Sequence, residues 1–220
     1  MSRRDPCHPV RVSLLAALWL LALVLPVVTI GADPVTPGPP FPDPVTDQAV
    51  YDYAGVFSET TIDSAESTID AIEARTGAEI AVYSQVVDYG VSTEETETRA
   101  RALIDQWGIG RAGFDDGLVI FFDLDPSLEH GQVQLYAAPG FEATYLSNSQ
   151  RQAIFEDDMV PYLSDGNLNE ALLVALRKVD AAASPESAAA LQTGRQINAV
   201  LGLVLAPVAF MGLAGWAFLS

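Results

Sequence analysis

The five residues Leu118–Phe122, reading LVIFF, form an uninterrupted apolar run with acids at both ends: Asp115 and Asp116 precede it, Asp123 and Asp125 follow it. A run this short, rich in β-branched and aromatic side chains, has the signature of a strand buried on both faces. Such a strand needs helices on each side of its sheet, which commits the chain to an α/β architecture. The flanking carboxylates mark the two strand ends as the places where chemistry could sit.

The surrounding segments supply those helices. Ser58 is an N-cap with Phe57 before it, and Ile62, Ala65, Ile69 and Ile72 recur at helical spacing until Gly77 stops the helix. Glu79–Val87 reads as a strand. Ser92 and Glu95 form a capping box for a helix whose inward face is Thr96, Ala100, Leu103, Ile104 and Trp107. After the central run, a turn at Pro126–Gly131 leads into Gln132–Ala137. There Val133, Leu135 and Ala137 alternate with polar residues and Tyr136, as in a hairpin strand with one wetter face. Pro139-Gly140 reads as a turn, Ser149–Val160 as a helix ended near Pro161, and Asn167 with Glu170 as the start of a last helix buried through Leu168, Ala171, Leu172, Ala175, Leu176 and Val179. The expected domain, 47–182, is therefore α/β with a small mixed sheet covered by helices. Val50–Ser58 is its extended lead-in.

Both ends of the chain are apolar. Arg3, Arg4 and Arg11 precede an uncharged run, Val12–Ile30, closing at Gly31-Ala32. Residues 1–32 read as a secretory signal peptide, or as an uncleaved signal anchor, since Ile30 stands where cleavage favours a small residue and the run approaches the ~20 residues of a bilayer span. Ile197–Leu219 carries no charge and is long enough for a transmembrane helix. The arginines at the front place the intervening domain on the extracytoplasmic side of the cytoplasmic membrane, single-pass once the leader is cleaved. Residues 33–46, with six prolines between Asp33 and Pro44, read as an extended, poorly packed spacer, and 183–196 as an Ala/Ser linker.

Charge and cysteine usage remove several function classes. The chain carries 29 acidic against 11 basic residues, a net charge of −18, and after the leader the balance is 28 to 8. Such a surface repels nucleic acid and anionic headgroups and favours cations or basic partners. Cys7 lies in the leader, so the domain has no disulfide, no cysteine zinc ligand and no cysteine nucleophile. His130 is its single histidine and sits in the hairpin turn, which leaves no two-histidine metal site.

VYDYAGVFS at 50–58, WGIG at 107–110, the loop ending DDG at 115–117, PGFE at 139–142 and MVPYL at 159–163 resemble, in order, the motifs of the TPM domain family, which is found in bacterial membrane-anchored proteins and in a thylakoid lumen protein. The resemblance implies a three-layer α/β/α sandwich outside the cytoplasmic membrane. It also implies associations with acid phosphatase activity, calcium binding and the assembly of membrane complexes. Carried over by motif, the metal candidates are Asp52, Asp116 and Glu142, with Asp115 adjacent. Calcium is the expected cation, because it takes six to eight oxygens in flexible geometry. The alternative is a solvated turn in which Asp115 or Asp116 caps backbone N–H groups.

Two functions follow as expectations. One is a membrane-tethered extracytoplasmic domain that binds or helps assemble an envelope protein, with calcium in an acidic cleft. The other is a divalent-metal-dependent phosphatase acting on phosphate monoesters, with Asp116 and Arg111 as its catalytic residues. Phosphoryl transfer needs positive charge at the transferring group, and Arg111 is the one basic residue in the loop. The direction in which Arg111 points therefore discriminates between the two.

Overall fold

The computed structural model describes residues 36–184. The expected leader, most of the 183–196 linker and the apolar segment 197–219 lie outside the described residues, among which no helix is long and apolar enough to cross a membrane.

Four strands form one mixed sheet in the order β1-β2-β3-β4: β1 Val50–Asp52, β2 Glu79–Val86, β3 Gly117–Leu124 and β4 Gly131–Ala137. The first three are parallel, and β4 returns antiparallel to β3. The LVIFF run lies inside β3, and every residue of that strand is buried. Burying each of its larger apolar side chains is worth about 1.5–3 kcal/mol. Val50–Asp52, expected only as an extended lead-in, is the edge strand beside β2.

Helices cover the two faces unequally. On one face Val82, Ile120, Phe122 and Leu135 pack against α1 (Glu59–Thr76) and α6 (Leu168–Ala182). On the other, Ala81, Tyr83, Val119 and Phe121 meet Ala100, Leu103 and Ile104 of α2 (Thr93–Trp107). The caps read from sequence are made: Ser58 on the Thr61 N–H, the Ser92/Glu95 capping box, and Gly77 in left-handed backbone at the end of α1; Gly108 ends α2 in the same way.

Three expectations are corrected. Residues 36–46 are not a poorly packed spacer. Phe41 is 4% exposed and edge-on to Tyr83 and Phe121 at 5.2 and 6.0 Å between ring centroids, so the Pro-rich segment covers the part of the second face that α2 leaves open. Its backbone is held as firmly. Gly38 N–H donates to Gln85 Oε1 (2.9 Å), Gln106 bonds both the N–H and the carbonyl of Phe41, and Trp107 Nε1 donates to the Pro42 carbonyl (2.8 Å). The packed domain thus begins before residue 47.

Pro139-Gly140 is not a free turn but the first turn of α3 (Pro139–Thr144), with proline where its missing N–H costs nothing. Nor does Pro161 end a helix. The chain runs from α4 (Asn148–Ala153) through a π turn (Ile154–Met159) into α5 (Val160–Ser164). Within it Val160 N–H bonds the Phe155 carbonyl, five residues back, and this wider turn makes room for the proline ring that a regular helix would exclude.

Candidate functional site: an acidic groove beside the edge strand

Glu66, Asp70 and Glu73 lie at helical spacing on α1 and share one flank. Because α1 runs back beside β1, that flank overlooks the start of β1 and β2. Asp47, Glu66, Asp70, Glu73 and Glu79 line a groove of about 500 Å³ whose other walls include Tyr51 and Trp107. Three of these acids are fixed by backbone donors. Glu66 accepts from Ala49 N–H (3.0 Å) and Val50 N–H (2.8 Å), Glu73 from Ile80 N–H (3.0 Å) and Glu79 from Gly110 N–H (2.7 Å). Gly110 belongs to the WGIG motif, and its φ of 112° is open to glycine alone. A Cβ there would also meet the Gly117 nitrogen at 2.7 Å.

The groove concentrates negative charge, on the half-buried Glu66 and Glu73 and the exposed Asp47, Asp70 and Glu79. The Glu73 carboxyl is held above the ordinary carboxylate value, chiefly by burial and then by Glu79, Asp70 and Glu66, with the Ile80 N–H bond opposing the shift. The folded state therefore binds this proton more tightly than the unfolded chain, and stability falls as pH rises from the ordinary value of 4.5 through the raised one. The cost is fully present once pH has passed the raised value. Glu73→Gln, which keeps an acceptor for Ile80 N–H, is expected to raise the unfolding midpoint at pH 7 and leave it nearly unchanged below about pH 4. Melting curves at the two pH values check this; equal shifts would show that charge is not the cause.

The residues expected from sequence lie elsewhere and do not converge. Asp52 is at the C-terminal end of β1, where its carboxylate accepts from Val56 N–H (3.1 Å), Phe57 N–H (2.8 Å) and Ser84 Oγ (2.5 Å), closing the turn before α1. Asp115 and Asp116 precede the N-terminal end of β3. In register, Asp52 aligns through Ser84 with Phe122, while β3 begins at Gly117, a separation of roughly 16 Å along the strand.

Asp116 is fully buried. Its Oδ1 accepts from Arg111 N–H and its Oδ2 from Arg111 Nε, both at 2.9 Å, and Arg111 Nη2 completes the pair. The guanidinium also lies 4.4 Å over the Phe114 ring, and its hydrogen bond to Asp116 holds its pKa above the ordinary value. Asp115 is exposed, in left-handed backbone (φ 52°), and its carbonyl accepts Gly140 and Phe141 N–H at the start of α3. Glu142, in the same turn of α3, faces Arg151 Nη2 at 3.5 Å. The loop of Asp115 and Asp116 therefore abuts the helix of Glu142, but Asp52 stands at the other end of the sheet. Among the described residues no three His, Cys, Asp or Glu side chains are placed to hold a metal ion.

Asp123 is also consumed. Fully buried, it accepts from Gln85 Nε2 (2.6 Å), Thr96 Oγ1 (2.9 Å) and Arg99 Nη1 (2.8 Å), while Asp125 pins the hairpin through Ser127. The groove acids escaped the sequence reading, although Glu66, Asp70 and Glu73 are visible as a 4-then-3 spacing on one helix. Asp47 and Glu79 join them only through the fold.

No curated protein matches the chain. Among solved structures, the N-terminal domain of a P. gingivalis protein is similar at 25% identity, covering 62% of this chain and 82% of that one with a TM-score of 0.52. An N-terminal domain from Corynebacterium glutamicum is 18% identical over 70% of this chain and 89% of that one, with a TM-score of 0.46. The sequence model of the TPM domain matches residues 50–182, well over half of the chain, and the chain belongs to the TPM domain family.

Proposed function

We propose that this TPM domain is a membrane-tethered, extracytoplasmic binding module whose acidic groove takes a basic segment of an envelope protein. The observation that carries this reading is the closed Arg111–Asp116 pair. The one basic residue of the loop spends its charge on a carboxylate whose two oxygens are already occupied, so neither is offered to a phosphate ester. That removes the main support for the phosphatase reading. Of the groove acids, by contrast, Glu73 and Glu79 each take a backbone bond on one oxygen alone, and both line the cavity. With no chelating cluster among the described residues, calcium acts there as a diffuse counter-ion that competes with the basic segment.

Thermal unfolding of the purified chain in nonionic detergent tests this, since a ligand of the folded state raises the midpoint. At fixed ionic strength, calcium and magnesium are expected to give equal, small shifts. A short oligolysine peptide is expected to give a larger one, reduced in Asp70→Asn/Glu73→Gln. A rise specific to calcium would establish a chelating site in place of a diffuse field, and no response to oligolysine would remove the groove as a binding surface.

A further inference from the structure

The two edges of the sheet are treated differently. At β1 the outward backbone groups of Val50 are closed by the chain itself: its N–H by Glu66, and its carbonyl by Gln48 Nε2 (2.9 Å). At β4 they are not. The bonds Ala138 N–H to Gly117 carbonyl and Asp125 N–H to His130 carbonyl fix the parity of the β3–β4 ladder, so even-numbered residues of β4 face β3. The N–H and carbonyl groups of Gly131, Val133 and Leu135 therefore point outward. Arg151 Nη1 takes the Leu135 carbonyl. Among the described residues the Val133 and Leu135 N–H groups and the Gly131 and Val133 carbonyls have no partner, while the Val133 and Leu135 side chains are core.

A groove follows this open edge. One part, about 420 Å³, lies between Thr93 and Glu97 of α2 and Arg151, Gln152 and Glu156. The next, about 480 Å³, shares Gln132, Val133 and Phe155 with it and is walled by Leu128, Leu163 and Leu168. Leu128 is the informative residue. It is 37% exposed at the hairpin tip and holds a φ of 61°, a conformation that disfavours a leucine and that glycine or asparagine would adopt without strain. Its side chain forms one apolar wall of the groove. The acids on the rim are Glu97, Glu129 and Glu156.

We infer that the outer edge of β4 is a docking site for an extended segment of a partner protein, alternating apolar with lysine or arginine residues, which adds as a fifth strand. The unpaired backbone groups supply the ladder, the apolar groove takes one side chain, and the acidic rim selects positive charge. A second copy of this chain is a poor occupant, because its own −18 charge would bring the same acidic rims together. The site is on the edge opposite the acidic groove and does not depend on it.

Residue-resolved hydrogen exchange of the full chain in nonionic detergent tests the inference. The probes are a ten-residue capped peptide of alternating lysine and valine and its glutamate–valine counterpart. The lysine peptide is expected to slow exchange at Val133 and Leu135 at least tenfold without affecting Val50, and the glutamate peptide is expected to do nothing. Leu128→Gly is expected to raise the unfolding midpoint by about 2–4 °C as strain is relieved, while weakening the lysine peptide at least threefold. The inference is overturned if neither peptide protects these amides, if both protect them equally, or if they are already protected in the free chain. Protection in the free chain independent of concentration would assign the edge to another segment of this chain, and concentration-dependent protection to a second copy.

Discussion

Phe41→Ala is expected to destabilise the domain by about 3–5 kcal/mol, the range for removing a buried aromatic ring from a core. The residue stands in a stretch with six prolines that composition assigns to a spacer, yet its ring fills the gap between Tyr83 and Phe121. Those two rings are stacked at 5.3 Å, and neither is covered by α2 on the side where Phe41 sits. The hydrogen bonds of Gly38, Phe41 and Pro42 to Gln85, Gln106 and Trp107 make the segment a docked strap, so loss of the ring also weakens its attachment. Urea unfolding followed by near-ultraviolet circular dichroism checks the effect. A change below 1 kcal/mol would mean that the strap is detached in solution and that the domain begins near residue 47.

This strap marks the limit of what the sequence discloses. Elements whose signal is local were legible: the LVIFF strand, the Ser92/Glu95 box and the Gly77 stop all stand where pattern and capping chemistry put them. The strap was not, because prolines in an extended segment carry no periodicity, and only the incomplete coverage of the sheet by α2 explains why Phe41 is drawn in. The π turn was hidden for the same reason, since its widened bond to Phe155 overrides the usual meaning of Pro161. The candidate site divides in the same way. Asp52, Asp116 and Glu142 share a motif logic in one dimension, but the parallel order β1-β2-β3 sends Asp52 to the opposite end of the sheet from Asp116. The acids that do converge belong to α1, the lead-in loop and the start of β2, which only the fold brings together.

Arg111→Met is expected to cost about 3–5 kcal/mol, the range for removing one partner of a buried ion pair. Asp116 is fully buried, so without the guanidinium its carboxylate retains, among the described residues, only the backbone N–H of residue 111 as a donor. Asp116→Ala is expected to cost less, because Arg111 keeps 25% of its side chain exposed and can turn its donors to water. The asymmetry distinguishes a structural lock from catalytic machinery. The double variant Arg111→Met/Asp116→Leu is expected to recover most of the loss, since apolar groups of similar volume often replace a buried pair at little net cost. A double-mutant cycle in urea measures the coupling between the two sites. If the single variants are both near wild type in stability while hydrolysis of a phosphate monoester by the wild-type chain disappears in each, the pair is functional after all, and the binding-module reading gives way to the phosphatase.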